Sequence, residues 1–175
     1  TRILEGSSIR QQQVAQDFAD RFGTLSMMRE EASTAEEFAA VYTELVDWHI
    51  RLEQGGETGL LDSVTQLLIE LRRDFGEWII DVYPHWMREE VPRPDLSVDI
   101  VKKYVLPWLG EDPIFLVVLD CMRLDQWRVI RPLLSPSFEV EESWHYSILP
   151  TATPYARNAI FSGRFPDQIA RDRPE

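Results

Sequence analysis

Cysteine is nearly absent from this sequence: Cys121 is the only one. An intrachain disulfide framework is therefore excluded, and the usage fits a reducing compartment. Long apolar runs are missing as well. No stretch approaches the ~20 apolar residues that span a bilayer. The opening Thr1-Arg2-Ile3-Leu4-Glu5-Gly6 lacks the apolar core of a signal peptide. These absences predict a cytoplasmic protein. Histidine is scarce: His49, His85 and His145 are the three, and no two stand at the spacing of a helical metal motif. Positive charge is also short, with 18 Lys and Arg against 30 Asp and Glu, a net charge of -12. Such a field opposes non-specific binding to nucleic acid or anionic membrane, while leaving room for a local basic pocket. Internal repeats and low-complexity tracts are absent. What is plentiful is apolar material, 44% of the chain, enough for a packed core. A length of 175 residues allows one or two domains.

The most concentrated apolar signal is Ile114-Phe115-Leu116-Val117-Val118-Leu119, which ends on Asp120 and follows a turn signal at Gly110 to Pro113. An unbroken apolar run rich in branched and aromatic residues predicts a strand buried on both faces, as in a parallel sheet. Asp120 then stands at the carboxyl end of that strand, where open α/β sheets gather ligand and metal groups. The plainer alternative makes Asp120 the N-cap of the next helix, since Asp is favoured there.

The first half carries helical periodicity. Ser8 with Gln11 forms a capping box for a first helix, and Val14, Phe18, Phe22 and Leu25 share one face. Gly23 weakens its later turns. Ser33 to Glu36 predicts a second capping box, and Phe38, Val41, Tyr42, Leu45, Trp48, His49 and Leu52 continue as a stripe to Gly55-Gly56. A third helix runs from about Leu60 to Tyr83, ended by Pro84, which lacks an N–H and clashes with the preceding turn. Three amphipathic helices with short connections predict an antiparallel three-helix bundle. His49 and His85 read as packing residues rather than ligands. Val91-Pro92-Arg93-Pro94 is a stiff linker that divides the chain into 1–91 and 92–175.

Beyond the linker, Asp95 or Ser97 caps a short helix that leads into Ile114. Leu124 to Leu134 reads as a helix disturbed by Pro132. Phe138 to Glu141 and Trp144 to Ile148 read as extended pieces. Then comes Leu149-Pro150-Thr151-Ala152-Thr153-Pro154-Tyr155-Ala156-Arg157-Asn158-Ala159-Ile160-Phe161-Ser162-Gly163. Thr153 is biased away from the α region by the proline after it, and Pro154 suits the first position of a helix. Thr153 is thus a natural N-cap, and on the plain reading nothing more. The functional reading uses the same place. A hydroxyl at a helix start lies where anions bind well. A divalent metal that acidifies a bound water by Lewis-acid chemistry would acidify such an alcohol too. Asp120 offers an oxygen ligand.

Taken together, the Val118-Leu119-Asp120-Cys121-Met122-Arg123-Leu124-Asp125 stretch and the Thr151 to Gly163 stretch closely resemble the opening of a PglZ domain, of the alkaline phosphatase superfamily. The helical half is similar to the linker domain of PorX-type response regulators, which join a receiver domain, a three-helix bundle and a PglZ effector. The resemblance implies helices followed by the first part of an alkaline-phosphatase-like α/β domain with two zinc ions. It implies Asp120 as a metal ligand and Thr153 as nucleophile and ligand. Thr153 is preferred to Thr151 because it stands ten residues before Gly163. Where phosphodiesterase relatives often carry Asn three residues after the nucleophile, this chain has Ala156, which turns attention to Arg157 or Asn158. The implied activity is zinc-dependent phosphodiester hydrolysis on oligonucleotides, connected with control of type IX secretion. Further ligands are expected beyond Glu175 and a receiver before Thr1, so the chain is expected to be a fragment, inactive alone. The alternative reading is a non-catalytic interaction or dimerisation module, whose Trp48, Trp78 and Trp86 contact a partner or a second copy in a homodimer.

Overall fold

A computed structural model of the protein describes residues 2–110 and 113–172. Glu111 and Asp112 of the expected turn, and both chain ends, lie outside the described residues. The chain divides into two compact units, Thr1–Val91 with Arg123–Pro136, and Pro92–Met122 with Ser137–Glu175.

The first unit is a helical bundle of α1 (Arg2–Glu31), α2 (Ala35–Gly55), α3 (Thr58–Met87) and a later helix, α5 (Leu124–Leu134). Its core follows the predicted stripes. Phe18 and Leu25 of α1, Val41, Leu45 and Leu52 of α2, and Val64, Leu67 and Leu71 of α3 are buried together. Burying such side chains contributes roughly 1.5–3 kcal/mol each, which is what makes helices that are marginal alone stable in company. Ion pairs tie the rims. Arg21 of α1 grips Glu44 of α2 through two bonds of 2.6 and 2.8 Å. Arg29 of α1 pairs with Asp74 and Glu70 of α3.

Several boundaries differ from the sequence expectation. α1 begins at Arg2, so Ser8 is interior rather than a cap, and the helix continues through Gly23 to Glu31. Its four-turn apolar face outweighs the ~1 kcal/mol propensity cost of one glycine. The cap of α2 is Thr34, not Ser33. The Thr34 hydroxyl accepts the Glu37 N–H at 3.2 Å, and the Glu37 carboxylate accepts from both Thr34 and Ser33 N–H groups. Gly56, at φ 74°, closes α2, where a side chain would be strained. Pro84 lies inside α3 instead of ending it. The carbonyl that loses its bond belongs to Ile80, which is exposed, and Trp86, two residues past the proline, is buried against Trp78 and Tyr83. That aromatic packing holds the last turn. Trp86 is thereby buried, Trp48 is buried separately against Phe18, and Trp78 meets Phe38 with ring centroids 4.9 Å apart. Of the tryptophans offered to a partner by the interaction-module reading, Trp48 and Trp86 are buried and Trp78 is half-buried against the core.

The second unit contains the 3₁₀ turn Ser97–Asp99, α4 (Ile100–Tyr104), a second 3₁₀ turn Leu106–Trp108, α6 (Thr153–Ser162) and α7 (Pro166–Asp172). Neither Asp95 nor Ser97 caps by its side chain. Asp99 accepts the Leu96 N–H at 2.9 Å, and Asp95 is bonded to Lys103 and Tyr104. A small core joins Leu96, Ser97, Val98, Ile148 and Ala159, all buried. The backbone seam beside it is a parallel bridge between Leu96 and Tyr146. Tyr146 donates to Asp95 O at 2.8 Å, Ser97 donates to Tyr146 O at 3.1 Å, and the Ile148 N–H reaches the Ser97 hydroxyl at 3.2 Å. α6 packs on the Ser97–Asp99 turn and on α4.

The expected α/β sheet is not formed among the described residues. Ile114 to Leu119 has no regular secondary structure and no strand partner, and it is exposed, with Phe115 88% and Val118 38% exposed. Phe138 to Glu141 likewise lies outside any strand, and Trp144 to Ile148 contributes only the bridge at Tyr146. Apolar composition specifies what a strand would bury, but a strand exists only through hydrogen bonds to a neighbour distant in sequence. No described segment supplies that neighbour to Ile114–Leu119.

Candidate functional site

Asp120 follows the apolar run directly and is exposed. The next residue, Cys121, has φ 59°, a left-handed conformation uncommon for residues with a side chain. The Cys121 thiol donates to Asp120 Oδ1 at 3.6 Å. Asp120 does not cap α5. The N-cap position is Arg123, whose N–H is accepted by Gln126 Oε1 at 3.0 Å. The Asp120 carboxylate is thus free of the capping duty that its sequence position also allowed. Asp125 is committed elsewhere: two bonds from the Arg123 guanidinium, 2.7 and 3.0 Å, hold its carboxyl below the usual range.

Thr153 is half-buried and is the first residue of α6, with Ala152 at the N-cap position (φ -60°, ψ 134°). The structure therefore moves Thr153 one place inward from the expected cap and gives Pro154 the second place. The N-cap residue Ala152 has no side chain that could cap this helix start. The first turn is also a weaker anion cradle than an ordinary helix start. Pro154 has no N–H, and the Tyr155 and Ala156 N–H groups both point to Ala152 O at 3.0 Å. Gly163 closes α6 at φ 64°, with Ala159 fully buried beneath. Thr151 stands before the helix in irregular, exposed chain, and Arg157 and Asn158 are exposed on α6.

Asp120 and Thr153 fall in the same compact unit. Among the described residues, however, no group of three or more His, Cys, Asp and Glu side chains is placed to hold a metal ion. His145 is exposed, His49 is half-buried on α2, and His85 is bonded to Glu90 at 2.7 Å. Sequence reasoning missed the destination of α5. Its half-buried residues Leu124, Trp127, Arg128, Arg131 and Leu134 recur at helical spacing, a stripe that was available as a signal but named no partner. The partner is α2: Leu124 packs against the bundle core, and Arg128 Nε donates to Asp47 Oδ1 at 2.9 Å.

Comparison with known families places two matches on the chain. Residues 8–87 match the PorX response regulator linker domain. Residues 100–175 match the BREX system PglZ alkaline phosphatase-like domain. No curated protein matches the chain. The bundle helices α1 to α3 carry the first match, and Asp120 and Thr153 lie in the second. The chain thus pairs a PorX-type linker with a PglZ alkaline phosphatase-like segment, in the order of a PorX-type response regulator.

Proposed function

We propose that this chain serves a cytoplasmic response regulator whose effector is a zinc-dependent phosphodiesterase acting on oligonucleotides, linked to control of type IX secretion. The observation that carries the reading is the succession of the linker match and the PglZ match, with an uncapping Asp120 carboxylate and an uncapping Thr153 hydroxyl inside the second. On this reading 1–91 is the linker, which receives its signal from a receiver domain and is open to homodimer formation. The part from 92 to 175 belongs to an alkaline-phosphatase-like α/β domain. Among the described residues no helix is long and apolar enough to cross a membrane, which suits that setting.

Asp120 is assigned as a metal ligand and Thr153 as nucleophile and ligand. The residues described here do not fit a complete metal centre. A catalytic zinc takes about three protein ligands, and Asp120 and Thr153 supply two oxygens at most, with no third group clustered beside them. What the chain contributes is positional. The buried Ala159 and the Gly163 closure seat α6 on the Ser97–Asp99 turn, and α6 in turn fixes the backbone that carries Thr153. The metal content of the full-length response regulator tests the assignment. Near-stoichiometric zinc that falls on Asp120→Ala supports it; a protein without zinc that still cleaves a phosphodiester overturns it.

A further inference from the structure

One face of α3 fills the bundle core through Val64, Leu67 and Leu71. The outer face is not purely polar. Ile69 is 51% and Ile80 73% exposed. Gly76 stands between them inside the helix, where glycine weakens helical structure, and a Cβ built there would meet nothing within 4 Å. Packing within the chain therefore does not call for a bare backbone at this place. At about 100° per residue, Ile69, Arg73, Gly76 and Ile80 fall within roughly 60° of one another. Their alternating spacing of four and three residues is the rhythm of a seam between two helices.

The charges on this strip complement themselves. Arg73 is 64% exposed and reaches its neighbour Asp74 at 2.9 Å. Asp74 also holds Arg29 of α1, so it keeps a cation when Arg73 turns elsewhere. Glu77 is exposed one turn past Arg73. A second α3 laid antiparallel to the first, about a two-fold axis level with the Asp74–Phe75 peptide, sets Ile69 of each copy level with Ile80 of the other. Arg73 of each copy then lies over Gly76 of the other, with Glu77 of that other copy on the same flank and one residue step away. The bare backbone at Gly76 admits the arginine, and each contact occurs twice by symmetry. A parallel pair would set Arg73 against Arg73 instead. The axis falls near the middle of a 30-residue helix, so the copies overlap along most of its roughly 45 Å. We propose that the outer face of α3 is the seam of a two-fold antiparallel homodimer, closed by Ile69 against Ile80 and by Arg73 against Glu77 of the second copy. Its use in signalling rests on the proposed reading of 1–91 as a linker open to homodimer formation.

Sedimentation equilibrium of the 175-residue chain should show monomer and dimer in exchange. Gly76→Arg sets bulk and like charge against Arg73 of the other copy and is expected to weaken the dimer by roughly tenfold or more. The open space at Gly76 and the gain in helix propensity keep the single chain folded, which circular dichroism checks. Arg73→Glu should weaken the dimer comparably, and Arg73→Glu with Glu77→Arg should restore it. Disulfide trapping reads the register. In a Cys121→Ser background, Ile69→Cys with Ile80→Cys should cross-link two copies on oxidation, and neither cysteine alone should do so. The two positions lie roughly 16 Å apart along one helix, too far to close a disulfide within a chain. A chain that stays monomeric, a dimer indifferent to Gly76→Arg, a charge swap that restores nothing, or cross-linking by Ile80→Cys alone overturns the seam. None of these measurements involves zinc, a substrate or a receiver, so their failure is separate from any failure of the phosphodiesterase reading, which zinc content and Thr153→Ala decide.

Discussion

Ser97 is the test of how the Thr153 unit is held. Its side chain is 1% exposed, and its hydroxyl is the acceptor for the Ile148 N–H at 3.2 Å. Ile148 is itself fully buried, so water cannot replace that acceptor. Ser97→Ala removes one oxygen, changes the packing volume little, and leaves a buried donor unpaired. The expected cost is about 1–3 kcal/mol, equivalent to roughly 5–150-fold in an opening equilibrium. Amide hydrogen exchange is the assay, and the informative amides are Ser97 and Tyr146. Their own acceptors, Tyr146 O and Asp95 O, are untouched by the substitution, so faster exchange there reports opening of the unit. The α6 amides should accelerate with them. Acceleration confined to Ile148, with Tyr146 unchanged, would refute the reasoning that the hydroxyl holds the seam together.

Leu45, fully buried in the bundle core, should cost about 2–5 kcal/mol on Leu45→Ala; urea unfolding followed by circular dichroism measures it, and a loss below about 1 kcal/mol contradicts the bundle packing. The hydrogen bonds from Arg21 hold the Glu44 carboxyl below its usual range, burial opposing them. A depressed carboxylate stabilises fully above its unfolded value, about 4.3, and loses that contribution as pH falls through the lower folded value. The difference in Tm between wild type and Glu44→Gln should therefore be constant near neutrality and shrink below about pH 4; a difference that widens with acid is the contrary result. Calorimetric titration of zinc into the 175-residue chain should show only weak binding that salt screens away, since two oxygen ligands are too few; a tight site surviving high salt contradicts the ligand count.

Local structure was legible where neighbours in sequence decide it. The bounds of α5, Leu124–Leu134, follow from its amphipathic spacing, and the buried face of α2 follows from the stripe through Leu45. The one-residue shift of the α2 cap has a simple origin. Ser33 and Thr34 stand side by side, as do Glu36 and Glu37, so two capping boxes were available, and Glu37 serves both N–H groups. Pro84 misled because the rule for proline is local, while the burial of Trp86 that carries α3 past it is tertiary. The same limit governs Ile114–Leu119, whose composition asks for a sheet that the described residues do not provide. At the candidate site, the identities of Asp120 and Thr153 came from motif spacing, but not the φ of Cys121, the first-turn position of Thr153 or the docking of α5 on α2. The docking depends on Leu124 and Asp47 contacts far apart in sequence.

The proposed chemistry gives the Thr153 hydroxyl the bond-forming role and gives Thr151, two residues away, none. Hydrolysis of a phosphodiester by the full-length response regulator should be abolished by Thr153→Ala, with its helix content retained, and should persist in Thr151→Ala. Full activity in Thr153→Ala, or loss of activity in Thr151→Ala alone, would contradict it.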